Sequence, residues 1–429
     1  MTRRPTGGDR AAVRAFAAQL EQMTIGSVQL VLPDGRRRTF GEPNSELSSD
    51  IEVRDWRFFH QVLAGGSIGV GESYMDGDWR SSDLVSLIRL VIANRDSLRS
   101  VTPGAVMRVA EERIRHALNG NRRRQSRRNI AAHYDLSNEL YELFLDPSMT
   151  YSCAYFAEPG MSLEEAQRAK YRRIAEKARI EGGEHVLEIG CGWGGFAEFV
   201  AREYGCRVTG ITLSEEQAGY ARERLERAGL SDLVDIELVD YRDVDGRYDR
   251  VVSIEMLEAV GPRYLGTYFE RIDELLAPDG VAAIQVITIP EQRYGRYKLR
   301  PDFIQAYIFP GGHLPSLEAM SGAMGRSSSL FVEDVENLGV HYAETLRRWR
   351  ENFLAHEAEV RALGFDDRFV RMWEFYLAYC EGAFLARYIN DLQLVLTRPM
   401  NATLGSSPYG ADHALPSQNG DIRLVGGAA

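Results

Sequence analysis

The segment VLEIGCGWGGF (186–196) constrains this chain more than any other: an apolar strand runs straight into a Gly-x-Gly-x-Gly turn that opens a helix. Glycine lets the backbone adopt positive φ and approach a ligand where any side chain would clash. A tight turn that binds nothing has the same pattern, so the surroundings must decide. From about residue 130 to 398, strand-length runs alternate with helical stretches. The strands are HVLEIG (185–190), RVTGIT (207–212), DIELVD (235–240), DRVVSI (249–254), VAAIQVI (281–287) and LQLVLTR (392–398); EEQAGYARERLERAG (215–229) is a helix between them. This alternation predicts an α/β, Rossmann-like doubly wound parallel sheet, whose ligands sit at the carboxyl ends of the strands.

With 429 residues, two or three domains are expected. Residues 1–105 read as a small N-terminal α+β domain. They hold strands on either side of Leu32-Pro33-Asp34-Gly35, the glycine-punctuated AGGSIGVGESYMDGDW (64–79) and the helical DLVSLIRLVIAN (83–94). Residues 106–129 read as a basic helical linker ending in five arginines within Arg122–Arg128, and 401–429 as a disordered tail. Formal charge is −11, which argues against a nucleic-acid partner. The longest apolar run, Val281–Ile289, is too short to span a bilayer, and the N-terminus lacks an export signal. Cys153, Cys191, Cys206 and Cys380 match neither a disulfide framework nor a metal site; His133 and His313 lack partners at metal spacing. A cytoplasmic protein with reduced thiols is expected.

Glu188, two positions before Gly190, Gly192 and Gly194, resembles the class I S-adenosylmethionine methyltransferase pattern rather than a dinucleotide fingerprint. Strand two ends in Thr212-Leu213-Ser214 with Gln217 a turn later, where many such enzymes place an acidic residue for the ribose; strand three ends in Asp240-Tyr241-Arg242. S-adenosylmethionine is therefore the expected cofactor.

Further segments resemble the cyclopropane-fatty-acyl-phospholipid synthase family in family order: GESYMDGDW (71–79), HYDLSNELYELFLD (133–146), MTYSCAYF (149–156), IEMLEAVG (254–261), YIFPGGHLPS (307–316) and YLAYCEGAFLARYI (376–389). Within it, the chain looks most similar to methyltransferases of tuberculostearic (10-methylstearic) acid synthesis. The resemblance implies a phospholipid substrate with a cis-unsaturated acyl chain. Its alkene takes the sulfonium methyl, and the resulting carbocation loses a proton from that methyl. Direct loss closes a cyclopropane; loss after a hydride shift gives an exocyclic methylene, which a separate reductase saturates. The resemblance also implies Tyr151 and Ser152 at the cofactor, and a bicarbonate base cradled by Cys153, Glu258, Gln285, Ile287 and Tyr376, with Cys380 nearby. It implies a homodimer in peripheral contact with a membrane, and a lipid-binding insertion over 290–340, aromatic in RYGRYKLRPDFIQAYIFP (293–310).

Two positions depart from the bacterial pattern: Gln285 stands where His is common, and Glu258-Ala259-Val260-Gly261 replaces EHVG. A glutamine amide donates a hydrogen bond to an anion but does not titrate near neutrality. The deprotonation step is the one affected, which favours the methylene product, with the cyclopropane as the alternative. Cys380 lies in an apolar helical stretch, where a small buried thiol is the commoner reading. Two other functional classes stay open: a methyltransferase of soluble small molecules, and a lipid-binding protein that has lost the chemistry. The arginine run becomes a headgroup contact only if the substrate is a lipid.

Overall fold

The computed structural model describes residues 3–98, 137–299, 301–401 and 403. The predicted linker with Arg122–Arg128, the boundary at 105, His133 and nearly all of the predicted tail lie outside them. Two sheets are present among the described residues. The smaller comprises β1 (Ser27–Val31), β2 (Arg37–Gly41), β3 (Ser48–Val53) and β4 (Trp79–Arg80), in the order β2-β1-β3-β4. β1 and β2 form a hairpin closed by Leu32 N donating to Arg36 O, with Gly35 at φ 85°.

Residues 64–75 of the glycine-punctuated stretch lie in helix Arg57–Met75, kinked at Gly66 (φ 55°), and the remainder turns at Gly77 (φ 77°) into β4. Glycine in a helix costs roughly 1 kcal/mol relative to alanine, so a packing reason is expected. Gly71 supplies one: a Cβ there would fall 2.3 Å from the Phe303 ring. The same helix holds the 303–309 segment through Glu72, which accepts from Tyr307 Oη at 2.7 Å. The aromatic core that begins in the first hundred residues continues without a break into helices Gly339–Ala355 and Asp367–Leu385.

The larger sheet contains β5 (His185–Ile189), β6 (Arg207–Thr212), β7 (Val234–Leu238), β8 (Tyr248–Ile254), β9 (Leu276–Thr288), β10 (Phe331–Asn337) and β11 (Asn390–Thr397). Their order is β10-β11-β9-β8-β5-β6-β7. β5 to β9 are mutually parallel, and their central members are apolar runs buried on both faces. β11 corrects the all-parallel expectation: it runs antiparallel to both β9 and β10. β10 escaped the sequence pattern because it is an edge strand, FVEDVEN, whose exposed acids discourage further pairing. The expected insertion over 290–340 also divides. Residues 291–314 pack beside the site, whereas helix Leu317–Ser327 packs on helix Leu265–Leu275 and β10 completes the sheet. The order in which successive strands are added reverses between β5 and β8, which opens a crevice at their carboxyl ends.

Candidate active site

β5 delivers the glycine turn into that crevice. Gly190, Gly192 and Gly194 have φ of 87°, 52° and 80°, and a Cβ on Gly190 would lie 2.8 Å from Met256 Cγ. Around the turn, a chamber is lined by Glu188 from β5, Tyr151 and Ser152 from a segment upstream, Thr212 and Leu213 at the end of β6, Gln217 and Tyr241. Glu188 is buried, and its Oε2 has no hydrogen-bond partner among the described residues. Burial holds this carboxyl well above the usual range, against the opposing charge of Lys170. Thr212 Oγ1 donates to Gln217 Oε1 at 2.8 Å, which fixes both side chains at the rim.

Four residues expected at the cofactor do not line the chamber. Gly194 starts helix Gly195–Tyr204, where its Cβ position faces Ala221. Ser214 caps helix Glu215–Arg227 by accepting from Gln217 N. Asp240 and Arg242 pair with each other at 2.6 Å, and Arg242 lies over the Tyr264 ring. Conversely, Lys170 and Tyr171 line the chamber unannounced by any motif. Lys170 is fully buried, donates to Ser152 Oγ at 2.6 Å, and is pulled down to about 8 by burial.

A second chamber adjoins the first, and Tyr151, Glu255 and Ala259 line both. Its walls are mostly apolar and aromatic, including Ile287, Ile304, Phe309, Leu346, Tyr376, Phe384 and the Pro310-Gly311-Gly312 turn. Cys380 lines it as well, and burial pushes its thiol far up, so it stays protonated. His313 is buried at the wall, with Nε2 3.1 Å from Tyr294 Oη. Cys191 borders the first chamber, whereas Cys206 is remote and donates to Glu181 O.

The five residues expected to cradle an anion converge where the chambers meet, but apart from Glu258 Oε2 their polar groups face protein partners. Cys153 N donates to Glu255 Oε1 at 2.8 Å, and Gln285 Nε2 donates to the same oxygen at 2.9 Å. Ile287 N donates to Glu258 Oε1, and Tyr376 Oη lies 2.7 Å from Tyr151 Oη. Gln393 Nε2 donates to Gln285 Oε1 at 3.0 Å, which turns the Gln285 amide nitrogen toward Glu255. Tyr342 Oη donates to Glu255 Oε2 at 2.5 Å. Glu255, at positive φ (50°) just after β8, is thus the hub of the cluster. Sequence reasoning passed over it in favour of Glu258 three residues later. The available signal was its place: an acid at the carboxyl end of a central parallel strand.

The carboxylates are electrostatically crowded. Burial and the charge of Glu255 raise Glu258 to about 8, and Glu258 Oε2 has no partner among the described residues. Asp391, buried on β11 opposite Ile287, is driven well up by burial and then by Glu255 and Glu258. Glu255 is raised by burial, but Tyr342, Cys153 N, Lys170 and Gln285 all favour its ionised form.

Comparison with known proteins shows the family and the fold. The family described as mycolic acid cyclopropane synthetase matches residues 121–394. Tuberculostearic acid methyltransferase UfaA1 of Mycobacterium tuberculosis is 41% identical over 405 residues, covering 92% of this chain and 93% of that protein. Cyclopropane-fatty-acyl-phospholipid synthase of Escherichia coli K12 is 40% identical over 361 residues, covering 83% and 89%. The mycolic acid cyclopropane synthase CmaA1, solved with SAH and CTAB, superposes with a TM-score of 0.59 at 32% identity, over 63% of this chain and 97% of that one. The shared fold, the glycine turn at the switch point and the extent of these matches leave one assignment: the chain belongs to the mycolic acid cyclopropane synthetase family.

Proposed function

We propose that this chain is an S-adenosylmethionine-dependent C-methyltransferase that methylates the cis double bond of an unsaturated acyl chain on a phospholipid, giving a methylene-branched product. One observation carries the reading: a chamber built on a glycine turn opens, past Tyr151, Glu255 and Ala259, into an apolar aromatic chamber suited to an alkyl chain. A soluble polar substrate would leave those walls unmatched.

The first chamber fits the methyl donor. Glu188 presents a carboxyl oxygen without a partner among the described residues, and Gly190 leaves open a space that a Cβ would fill. Glu188, Thr212, Gln217, Tyr241, Tyr151 and Ser152 would hold the donor, which would supply the methyl group on its sulfonium sulfur. The Tyr151, Phe309 and Tyr376 rings at the junction stabilise positive charge appearing on the acyl chain, by about 0.5–2 kcal/mol per well-placed face. The apolar walls keep water from that charge. Cys380 takes no covalent part, because its thiol stays protonated.

The names of the two curated relatives divide over the product, one a tuberculostearic acid methyltransferase and the other a cyclopropane synthase. Gln285 favours the methylene product here, since it offers the cluster no titrating imidazole. We extend the reading to a homodimer at the cytoplasmic face of the membrane, in peripheral contact with phospholipid, with a separate reductase completing the branch; family resemblance supports these points. No described helix is long and apolar enough to cross a membrane.

The test is incubation of the purified protein and S-adenosylmethionine with oleoyl-phospholipid vesicles, in parallel with soluble amine and hydroxyl acceptors. The expected result is a gain of one CH2 on the oleoyl chain, with ozonolysis revealing an exocyclic methylene. Methylation of the soluble acceptors alone would overturn the proposal.

A further inference from the structure

We infer that the side chain of Glu255 takes the place of the free anion expected at the junction of the two chambers, and is itself the base that removes the methyl proton. The inference rests on the proposed olefin methylation and specifies its deprotonation step.

Three observations carry it. First, the donors attributed to an anion are engaged: Cys153 N and Gln285 Nε2 converge on Glu255 Oε1, and Ile287 N is bonded to Glu258. A separate bicarbonate would have to displace a carboxylate from these groups and then sit against it, so the residues present do not fit a bound bicarbonate. Second, Glu255 borders both the donor chamber and the acyl chamber, whereas Glu258 borders only the latter. A base for this proton must reach the point where the transferred methyl meets the chain. Third, the backbone is shaped around the side chain. Glu255 holds a left-handed φ of 50° that a glycine would adopt freely, and its own N–H is fixed to Gln285 O at 2.8 Å. Gln393 fixes the Gln285 amide so that it donates to, rather than accepts from, Glu255.

The step balances without a further reactant. The alkene electron pair forms the bond to the methyl carbon, and the carbon–sulfur pair stays on sulfur. After the hydride moves to the neighbouring cationic carbon, one methyl C–H bond breaks. Its electron pair becomes the exocyclic double bond, and the proton passes to a Glu255 carboxylate oxygen. Glu255 ends neutral and releases the proton to solvent before the next turnover. Cyclopropane closure would use the same transfer without the hydride shift. Tyr342 and Gln285 are positioning residues that hold the carboxylate toward the junction.

The experiment compares wild type and Glu255→Gly in carbon-dioxide-depleted buffer, with and without millimolar bicarbonate or formate. Oleoyl-phospholipid vesicles are the substrate, and S-adenosylmethionine affinity and melting temperature serve as fold controls. Wild type is expected to turn over equally with and without bicarbonate. Glu255→Gly is expected to keep its cofactor affinity, lose on the order of 100-fold in turnover, and regain part of it with formate. Formate should also raise the melting temperature of the variant and not that of wild type. Wild-type turnover that depends on added bicarbonate overturns the inference, as does a Glu255→Gly enzyme that works unaided. Wild type that methylates no olefinic lipid under any condition overturns the functional proposal instead.

Discussion

The two chambers share three residues but are assembled by opposite routes. The donor chamber grows mainly from local sequence: within nine residues, 188–196, one strand, one turn and one helix start supply its acid, its glycine floor and part of its wall. The acyl chamber has no such origin. Its walls come from the end of β8, the end of β9, the 291–314 segment and helices Gly339–Ala355 and Asp367–Leu385, with Phe303 behind them held against Gly71 far upstream. A local chamber fails when its backbone changes, whereas an assembled chamber tolerates change until its volume or charge is altered.

The sharpest way to break this contrast is Gly190→Val. A left-handed φ costs a β-branched residue at least about 1–2 kcal/mol, and the added atoms collide with Met256, itself part of the chamber wall. Cofactor affinity and turnover should collapse together, as read by calorimetric titration with S-adenosylhomocysteine and by lipid methylation. Retained affinity would mean that the turn does not carry the donor. Cys380→Trp addresses the other chamber by filling it from a helix that remains intact. Here kcat/KM for vesicle substrate should fall by at least about tenfold, equivalent to 1.4 kcal/mol of lost transition-state binding, while cofactor affinity stays within about twofold. Equal loss of both would erase the distinction between the chambers.

The contrast also explains what was legible in the sequence. Strands β5 to β9 announce themselves as apolar runs between turns, and Gly190, Gly192 and Glu188 as a motif. β10 was hidden because an exposed acidic edge strand lacks the alternation of a half-buried one. Lys170 was hidden because a lysine on an amphipathic helix ordinarily faces water; only the fold turns it inward, toward Ser152. The pairing of Asp240 with Arg242 was equally hidden, since adjacency to a strand end does not reveal that the two side chains meet each other. Glu255 and Gln285 are 30 residues apart, so their partnership depends on the parallel register of β8 and β9.

The smallest predicted effect concerns Glu258, and it separates the two neighbouring glutamates. Glu258 is raised from an ordinary 4.5 to about 8, so near pH 7 it is largely neutral, and glutamine reproduces its shape and its acceptance from Ile287 N. Glu258→Gln should therefore lower turnover at pH 7 far less than loss of the Glu255 carboxylate does. The stability consequence has a definite sign. A carboxyl raised in the folded state contributes stability that is complete below about 4.5 and is lost as pH climbs to about 8. Glutamine carries no such loss, while Asp391 and Glu255 titrate in both proteins. The melting temperature of the variant should rise relative to wild type between pH 5 and pH 8 and level off above that. A difference that is flat with pH would mean that Glu258 is already ionised in the folded protein. The two carboxylates would then share the charge at the junction, and the case for Glu255 as the sole base would weaken.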